Sequence, residues 1–218
     1  MTDMAPPAPI ADLTIPGLTG GLSRLPQQPR ARATVERILK AATDILVEED
    51  YSALNTNAVA RRAGVNVATL YTYFPDKLAI MTELAVRLEA RRSQWVIARS
   101  SGVRDSDWRA WITEVIDTVA AHRRNTHGGV AVRQAVMAVA ELRYIDQITT
   151  LAVVEGQLDL LMSYGPNLSR AQARRISRLI AETTAAVLDT AFGIKPYRRS
   201  MIEDLKQMLT AYLALHLE

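Results

Sequence analysis

Short and hydrogen-bonding side chains are concentrated between residues 66 and 77 of this 218-residue chain. In a helix, one face of this segment would carry hydroxyl, methyl and phenol groups from Val67, Ala68, Thr69, Thr72 and Tyr73. Hydroxyl groups bond base edges and phosphate oxygens, and small apolar groups contact the thymine methyl in the major groove. Lys77 would begin the next helix, where a cation is mildly unfavourable because the helix dipole is positive there. A nearby phosphate explains this lysine better, so the pattern predicts contact with nucleic acid.

Two short helices joined by a tight turn would position these side chains. Asn55 is a good N-cap for a helix at 56–63, and Asn66 for a helix at 67–74, because each side-chain oxygen can accept an orphan backbone N–H. Gly64 stands between them, where a left-handed residue is needed. Helices joined so closely must cross steeply, which is the geometry that presents a second helix to the major groove. A compact corner in any all-α domain would show the same pattern.

Positive charge is unevenly distributed along the chain, whose net charge is +3. Residues 24–104 contain 13 basic and 8 acidic residues, or +5, whereas residues 105–218 contain 13 of each. This asymmetry favours a polyanion-binding N-terminal part and a neutral C-terminal part, although a solvated basic face would give the same distribution. Arg30 and Arg32 precede the first predicted helix, so they either contact DNA from an arm or belong to a solubilising linker.

The periodicity of apolar residues predicts an all-α fold. Residues 1–29, rich in Pro and Gly, are predicted to be a flexible N-terminal arm. Residues 30–76 form the predicted helix-turn-helix domain, and a long helix leads from it into a helical bundle that completes residues 77–218. The predicted helices end at glycine, serine or proline breaks and cover residues 33–49, 56–63, 67–74, 77–98, 107–123, 130–142, 145–164, 170–192 and 200–217.

Composition limits the class of protein. A hydrophobic content of 49% is ample for a packed core, and the absence of cysteine excludes disulfides and thiolate metal sites. The first 25 residues do not resemble a secretory signal, and no later stretch is apolar for long enough to span a bilayer. We therefore expect a cytoplasmic, nucleoid-associated protein with no membrane partner.

An enzyme is the rival from a different class. The three histidines, His122, His127 and His216, lack metal-ligand spacing with a carboxylate partner. Gly128 and Gly129 are not preceded by a predicted strand, as a phosphate-binding glycine loop would be. Catalysis is thus unsupported, and the sequence predicts a non-enzyme without cofactor or metal.

The tetracycline-repressor (TetR) family of helix-turn-helix transcriptional regulators has a recognition-helix signature that residues 63–77 closely resemble: Ala-Gly-Val-Asn-Val-Ala-Thr-Leu-Tyr-Thr-Tyr-Phe-Pro-Asp-Lys. The resemblance covers roughly Arg30 to Leu88. Asn55 and Asn66 stand where threonine and serine are usual, which preserves capping, and Leu78 stands where an acidic residue is common. The resemblance implies base reading by Val67, Ala68, Thr69 and Thr72, and phosphate contact by Thr56, Tyr71, Tyr73 and Lys77.

The resemblance also implies that the C-terminal bundle dimerises. A dimer is expected from the DNA mechanism too, because one short reading head gives little specificity and symmetric half-sites need two. Stripes on the last two helices would form the interface, unless they merely complete the core of one chain. The candidates are Ile176, Leu179, Ile180, Thr183, Val187, Leu205, Leu209 and Tyr212.

Ligand sensing is the second function that the resemblance implies for the bundle. An apolar effector cavity, whose lining residues would otherwise be ordinary core, is predicted from Trp108, Trp111, Val115, Met137, Leu158 and Met162. Candidate polar fixtures of that cavity are His122, Arg133, Glu141 and Tyr144.

Together these features predict a homodimeric repressor that a small, largely apolar ligand releases from a palindromic operator in double-stranded DNA. One alternative is an architectural or adaptor DNA-binding protein without a small-molecule switch, and a weaker one is an all-helical enzyme. A cavity of several hundred Å³ in the bundle, the usual size of a ligand site, would favour the sensor over the adaptor.

Overall fold

A computed structural model describes residues 15–101, 107–193 and 196–218, and the statements below concern these ranges. Within them the regular structure is helical and no strand occurs, which confirms the all-α fold. The helices are α1 (Pro29–Glu48), α2 (Thr56–Ala63), α3 (Val67–Tyr73), α4 (Lys77–Ser101), α5 (Trp108–Asn125), α6 (Gly129–Ala138), α7 (Arg143–Tyr164), α8 (Arg170–Gly193) and α9 (Arg199–Leu217). In the part of the chain described, none of these helices combines the length and apolarity needed to cross a membrane.

Most helix ends lie within three residues of their predicted positions, and two places differ. α1 begins at Pro29 rather than at residue 33, because proline has a preset φ and lacks the N–H that the first helical position does not use. The helix predicted at 130–142 is interrupted at Val139, whose backbone is extended (φ −98°, ψ 113°). A short 3₁₀ turn, Ala140–Leu142, follows and leads directly into α7.

The first hydrophobic core holds the helix-turn-helix together and extends beyond it. α1 contributes a buried face that includes Val35, Ile38 and Ile45, and α2 packs on it through Val59. Leu70 supplies the anchor from α3. The same core continues into the start of α4, into α6 and into the start of α7, with Ile80, Met81, Val132, Val136 and Ile145. The helix-turn-helix domain formed by α1, α2 and α3, here called the reading head, is therefore packed directly against part of the C-terminal bundle.

The second core lies inside the bundle. In this second core α4 packs chiefly against α7, α7 also packs against α8, and α5 packs against both α4 and α9. Its largest fully buried side chains include Trp111, Ile112, Ile116 and Leu158. The long helix α4 thus contributes to both cores, as does α7.

The segment before α1 corrects the prediction of a flexible arm for residues 15–28. The backbone N–H of Gly21 donates to Oε2 of Glu83 in α4 at 3.1 Å. A Cβ on Gly21 would lie 1.7 Å from the carbonyl oxygen of Ala79, so only glycine allows this approach. Glycine here permits close packing of two backbones, and the Pro- and Gly-rich composition does not by itself distinguish this role from flexibility.

The same segment reaches the end of the recognition helix. The backbone N–H of Ser23 donates to the carbonyl oxygen of Tyr73 at 2.9 Å. Leu18 and Leu22 pack against the first core. Residues 15–28 therefore form a strap across α4 that ends beside α3, while the rest of the predicted arm, residues 1–14, lies outside the described residues.

Candidate nucleic-acid interface

The two caps predicted for the helix-turn-helix are both formed. The side-chain oxygen of Asn55 accepts from the backbone N–H of Ala58 at 2.9 Å, and that of Asn66 accepts from the N–H of Ala68 at 2.8 Å. Gly64 has the left-handed backbone (φ 62°) that ends α2. A Cβ there would meet nothing within 4 Å, so backbone conformation, not space, requires glycine. The local sequence thus sets the angle at which α3 leaves α2.

The face of α3 opposite its anchor is open to solvent. Ala68, Thr69 and Thr72 are exposed, whereas Val67 is half-buried. Leu70 is fully buried and holds the helix onto the domain. Ala68, Thr69 and Thr72 therefore share the outer side of α3 and are short enough for the helix to enter a major groove, whereas Val67 packs against the first core.

Two predicted phosphate contacts bond each other across the helix-turn-helix. The Thr56 hydroxyl, at the first residue of α2, lies 3.1 Å from the Tyr71 hydroxyl of α3. Tyr71 is exposed. One hydroxyl donates to the other, so the second keeps its hydrogen for a phosphate oxygen, which suits the contact predicted for them.

Lys77 lies at the start of α4, as predicted, and its side chain is oriented by an aromatic ring. Its Nζ is 4.4 Å from the centre of the Tyr51 ring, a cation–π contact. Asp76 caps the same helix by accepting from the N–H of Ala79 at 2.8 Å. The ammonium group is therefore held at the surface of the head, where Lys77 is the last predicted phosphate contact.

A basic groove between α1 and α3 adds a residue that sequence reasoning missed. The groove, of about 420 Å³, is lined by Arg30 and Arg37 from α1 and by Thr69 and Tyr73 from α3, and no acidic side chain lines it. Neither arginine forms an ion pair with any described residue. Arg37 follows Arg30 by seven residues, two helical turns, and this spacing was the signal that could have identified it.

The other N-terminal arginine is directed elsewhere. Arg32 donates from Nε to the carbonyl oxygen of Pro26 at 3.3 Å, so it contacts the strap. Because α1 begins at Pro29, both Arg30 and Arg32 lie on the first turns of a helix and not in an arm. Of the two, only Arg30 lines the groove.

The six residues predicted to line an apolar cavity fall in two places. Trp108, Trp111, Val115 and Leu158 are buried in the second core, and Met162 packs on it. Met137 is exposed and lines a cavity at the surface of α6 and α8. Five of the six therefore lie together inside the bundle, as both alternatives from the sequence require, and Met137 lies apart from them. Of the candidate polar fixtures, His122 and Arg133 are buried, whereas Glu141 and Tyr144 are exposed.

The predicted dimer residues divide into two sets. Ile176, Ile180, Leu205 and Leu209 are at most 2% exposed and pack inside the second core. They have no surface left for a partner, because α8 and α9 each turn their more apolar stripe inward. The remaining four are exposed or half-buried: Leu179, Thr183, Val187 and Tyr212.

A buried ionic cluster inside the bundle was also missed. The Arg133 guanidinium of α6 lies 3.4 Å from Glu89 of α4 and 3.2 Å from Asp189 of α8, and it also pairs with Asp146 of α7. Arg123 of α5 pairs with Asp189 as well. Burial lowers the pKa of Arg133, but the three carboxylates outweigh this and raise it. The cluster therefore ties five helices together with paired charges.

A sequence signal for this cluster existed. Ala85, Glu89, Arg92 and Val96 follow one another at helical spacing on α4, and all four are buried. Opposite charges on a face that is otherwise apolar indicate a buried ion pair. The Nε atom of Arg92 indeed lies 2.8 Å from Oε2 of Glu89.

Comparison with known proteins identifies the family. Residues 38–84 match the family model of bacterial regulatory proteins of the tetR family, and residues 107–213 match the tetracyclin repressor-like C-terminal domain. The HTH-type transcriptional regulator EthR of Mycobacterium tuberculosis is 28% identical over 126 residues, which are 52% of this chain and 58% of that protein. The class A tetracycline repressor from transposon 1721 of Escherichia coli is 32% identical over 75 residues, 34% of this chain and 33% of that protein. The alignments thus span less than two thirds of these relatives.

Solved structures show the same fold over nearly the whole chain. A TetR-family transcriptional regulator from Streptomyces coelicolor is 28% identical, with a TM-score of 0.63 over 86% of this chain and 99% of that one. The regulator FadR from Bacillus subtilis, solved in complex with stearoyl-CoA, is 20% identical, with a TM-score of 0.61 over 84% of this chain and 97% of that one. Both family models and the shared fold agree with the capped helix-turn-helix, so this chain is a helix-turn-helix transcriptional regulator of the TetR family.

Proposed function

We propose that this regulator is a homodimeric repressor that binds a palindromic operator and is released by a small-molecule effector. The observation that carries the DNA part is the solvent-facing row of Ala68, Thr69 and Thr72 on α3, beside a groove lined by Arg30 and Arg37. Short side chains flanked by cations suit a helix that reads bases between two phosphate backbones.

An exposed apolar surface on α8 and α9 supports the homodimer. On α8, Leu179 is 46% exposed and Ala186 lies two turns further along the same face. On α9, Met208 is 48% and Leu215 is 80% exposed, with Ala211 between them. Two adjacent helices with exposed apolar and small residues fit a four-helix interface made by two copies. This surface replaces the inward-facing half of the predicted set.

Oligomeric state and DNA symmetry test the proposal together. Light scattering during gel filtration should give a dimer, and selection from random DNA should recover two inverted half-sites. The double variant L179E/L215E should be monomeric and lose operator binding, with unchanged helicity because both side chains are exposed. The pair A171E/Q207E, exposed on the same helices about a quarter turn away from this face, adds the same two charges and is the control. A monomer that selects one asymmetric site would contradict the dimer.

The effector part rests on family membership and on the packing of the reading head against the bundle. A ligand can shift DNA affinity only by the difference in its own affinity for the two states of the protein. α4 lies in both cores, so a ligand that changes its position also changes the spacing of the two heads. An adaptor with no switch, the main alternative, predicts that stabilising ligands leave operator affinity unchanged.

A further inference from the structure

A further cavity, distinct from the groove between α1 and α3 and from the cavity at α6 and α8, lies at the junction between the reading head and the bundle. It measures about 200 Å³, is partly open to solvent, and is lined by α1, α4, the end of α5 and the start of α6. Its apolar walls come from both sides of the junction: Leu39, Leu84, Leu88 and Val132. The volume is sufficient for a small organic molecule but not for a long acyl chain.

The cations around this cavity are satisfied, with one exception. Lys40 pairs with Asp44 at 2.7 Å, and His127 approaches the same carboxylate at 2.8 Å. Arg87 lies 2.6 Å from Glu36 and 2.7 Å from Glu83. Arg91 also lines the cavity, half-buried, and forms no ion pair or hydrogen bond with a described residue. One guanidinium is therefore left without a carboxylate beside an apolar cavity.

A buried imidazole forms part of the same wall. His122 is 2% exposed, and its Nδ1 lies 3.4 Å from the Thr126 hydroxyl. Its Nε2 is closed to solvent, and a hydrogen bond with the Leu88 backbone raises the pKa of the ring against the larger, lowering effect of burial. Trp95 packs edge-on against the imidazole at 5.0 Å. His122 therefore shapes the wall and connects it to Trp95, while its nitrogens are not open to the cavity.

The chemistry of this wall selects one class of ligand. A single unpaired guanidinium suits a monoanion, and a carboxylate can accept two parallel N–H bonds from it. A phosphate dianion would find only one free cation and would face Glu36, which also lines the cavity. The four apolar side chains of the wall would pack against a hydrocarbon part of the ligand.

We propose that this junction cavity binds a small organic carboxylate, with Arg91 pairing with the carboxylate and the four apolar side chains packing against its hydrocarbon part. The binding site stands on its own geometry, whereas its effect on DNA rests on the proposed repressor function. Arg87 links the two, because it joins Glu36 of the reading head to α4. An anion beside Arg91 competes with Glu36 for Arg87 and loosens α1 from α4.

Binding is tested on the full-length protein with matched charged and uncharged probes. Acetate, butanoate and benzoate are compared with acetamide, butanamide and benzamide at constant ionic strength, by thermal unfolding and by tryptophan fluorescence. At least one carboxylate should raise the melting temperature and change the emission of Trp95, while its amide does neither. Arg91→Gln should weaken that carboxylate about tenfold or more. Arg124→Gln, an exposed change near the end of α5 that does not line the cavity, should leave that affinity unchanged.

Two further results distinguish binding of the carboxylate at this site from the effect of that binding on operator affinity. The Trp95→Phe variant should lose the fluorescence change but keep the thermal shift, which locates the ligand beside His122. If no carboxylate binds, or if Arg91→Gln binds as well as the unchanged protein, the site is overturned. If binding depends on Arg91 but operator affinity stays the same, the site stands and release of the repressor by this ligand is wrong.

Discussion

The reading head and the bundle interior place their polar groups in opposite ways. In the head, Asn55 and Asn66 bond backbone two or three residues away, and the working side chains are exposed and short. In the bundle, Arg133 is buried and bonds carboxylates 44 and 56 residues away in sequence. The head is organised by its neighbours in sequence, and the bundle by neighbours in space. Changes in the bundle should therefore cost more stability, while changes in the head should alter DNA binding.

The largest expected effect is in the ionic cluster. Arg133→Met should destabilise the protein by about 3 to 5 kcal/mol, because Glu89, Asp146 and Asp189 would be left without their shared cation. Denaturant unfolding followed by circular dichroism measures the change. The control is Arg124→Met, at an exposed position, with an expected change within about 0.5 kcal/mol. Equal losses of unfolding free energy in both variants would show that the buried ion pairs of Arg133 stabilise the protein no more than an exposed arginine does.

A pH-dependent loss of stability should follow from His122. Burial lowers its pKa to about 4, and Arg92 acts in the same direction while the nearby Glu89 opposes it. Above the unfolded pKa of about 6.5 the imidazole is neutral in both states, so it has no effect on stability there. As the pH falls from 6.5 towards 4, only the unfolded chain binds the proton, and up to about 3 kcal/mol should be lost.

The matched experiment compares unfolding free energies of the unchanged protein and His122→Gln across that pH range. The glutamine side chain does not titrate, so the difference between the two proteins should change steadily below pH 6.5 and stay constant above it. Parallel curves would show that His122 is protonated as easily in the folded protein as in the unfolded chain.

A smaller effect is expected from the local caps of the head. Asn66→Ala removes the 2.8 Å bond to the N–H of Ala68 and should cost about 1 kcal/mol. Operator affinity should fall further than global stability explains, because the start of α3 is then less ordered. Asn66→Ser keeps the cap and serves as control. If Asn66→Ala changed neither the free energy of unfolding nor the affinity for DNA, this cap would not be what orders the start of α3.

The smallest effect is electrostatic and concerns the groove. Arg37→Ala should weaken operator binding by a similar factor on every sequence and reduce the slope of log affinity against log salt by about one unit. Arg32→Ala, which removes a side chain bonded to the strap, should leave the slope unchanged. Salt titrations of both variants measure this. A change in sequence preference with Arg37→Ala would indicate that this side chain contacts bases instead of phosphate.

Residues close in sequence account for what was predicted well. Caps, the left-handed Gly64 and the apolar period of the helices all operate within about four residues, so sequence alone indicates them. The cavity prediction is different, because Trp111 and Leu158 have the same periodicity whether they line a cavity or fill a core. The neighbouring helices bury both residues in the second core, which is where either role would place them.

By itself, then, the sequence determined the all-α fold, the capped helix-turn-helix and the family to which the chain belongs. The tertiary structure alone decided which stripe of α8 and α9 turns inward, that residues 15–28 pack on α4, and that charges distant in sequence meet inside the bundle. The reason is physical: a helix forms from local hydrogen bonds, whereas burial depends on which distant surface arrives to cover a side chain.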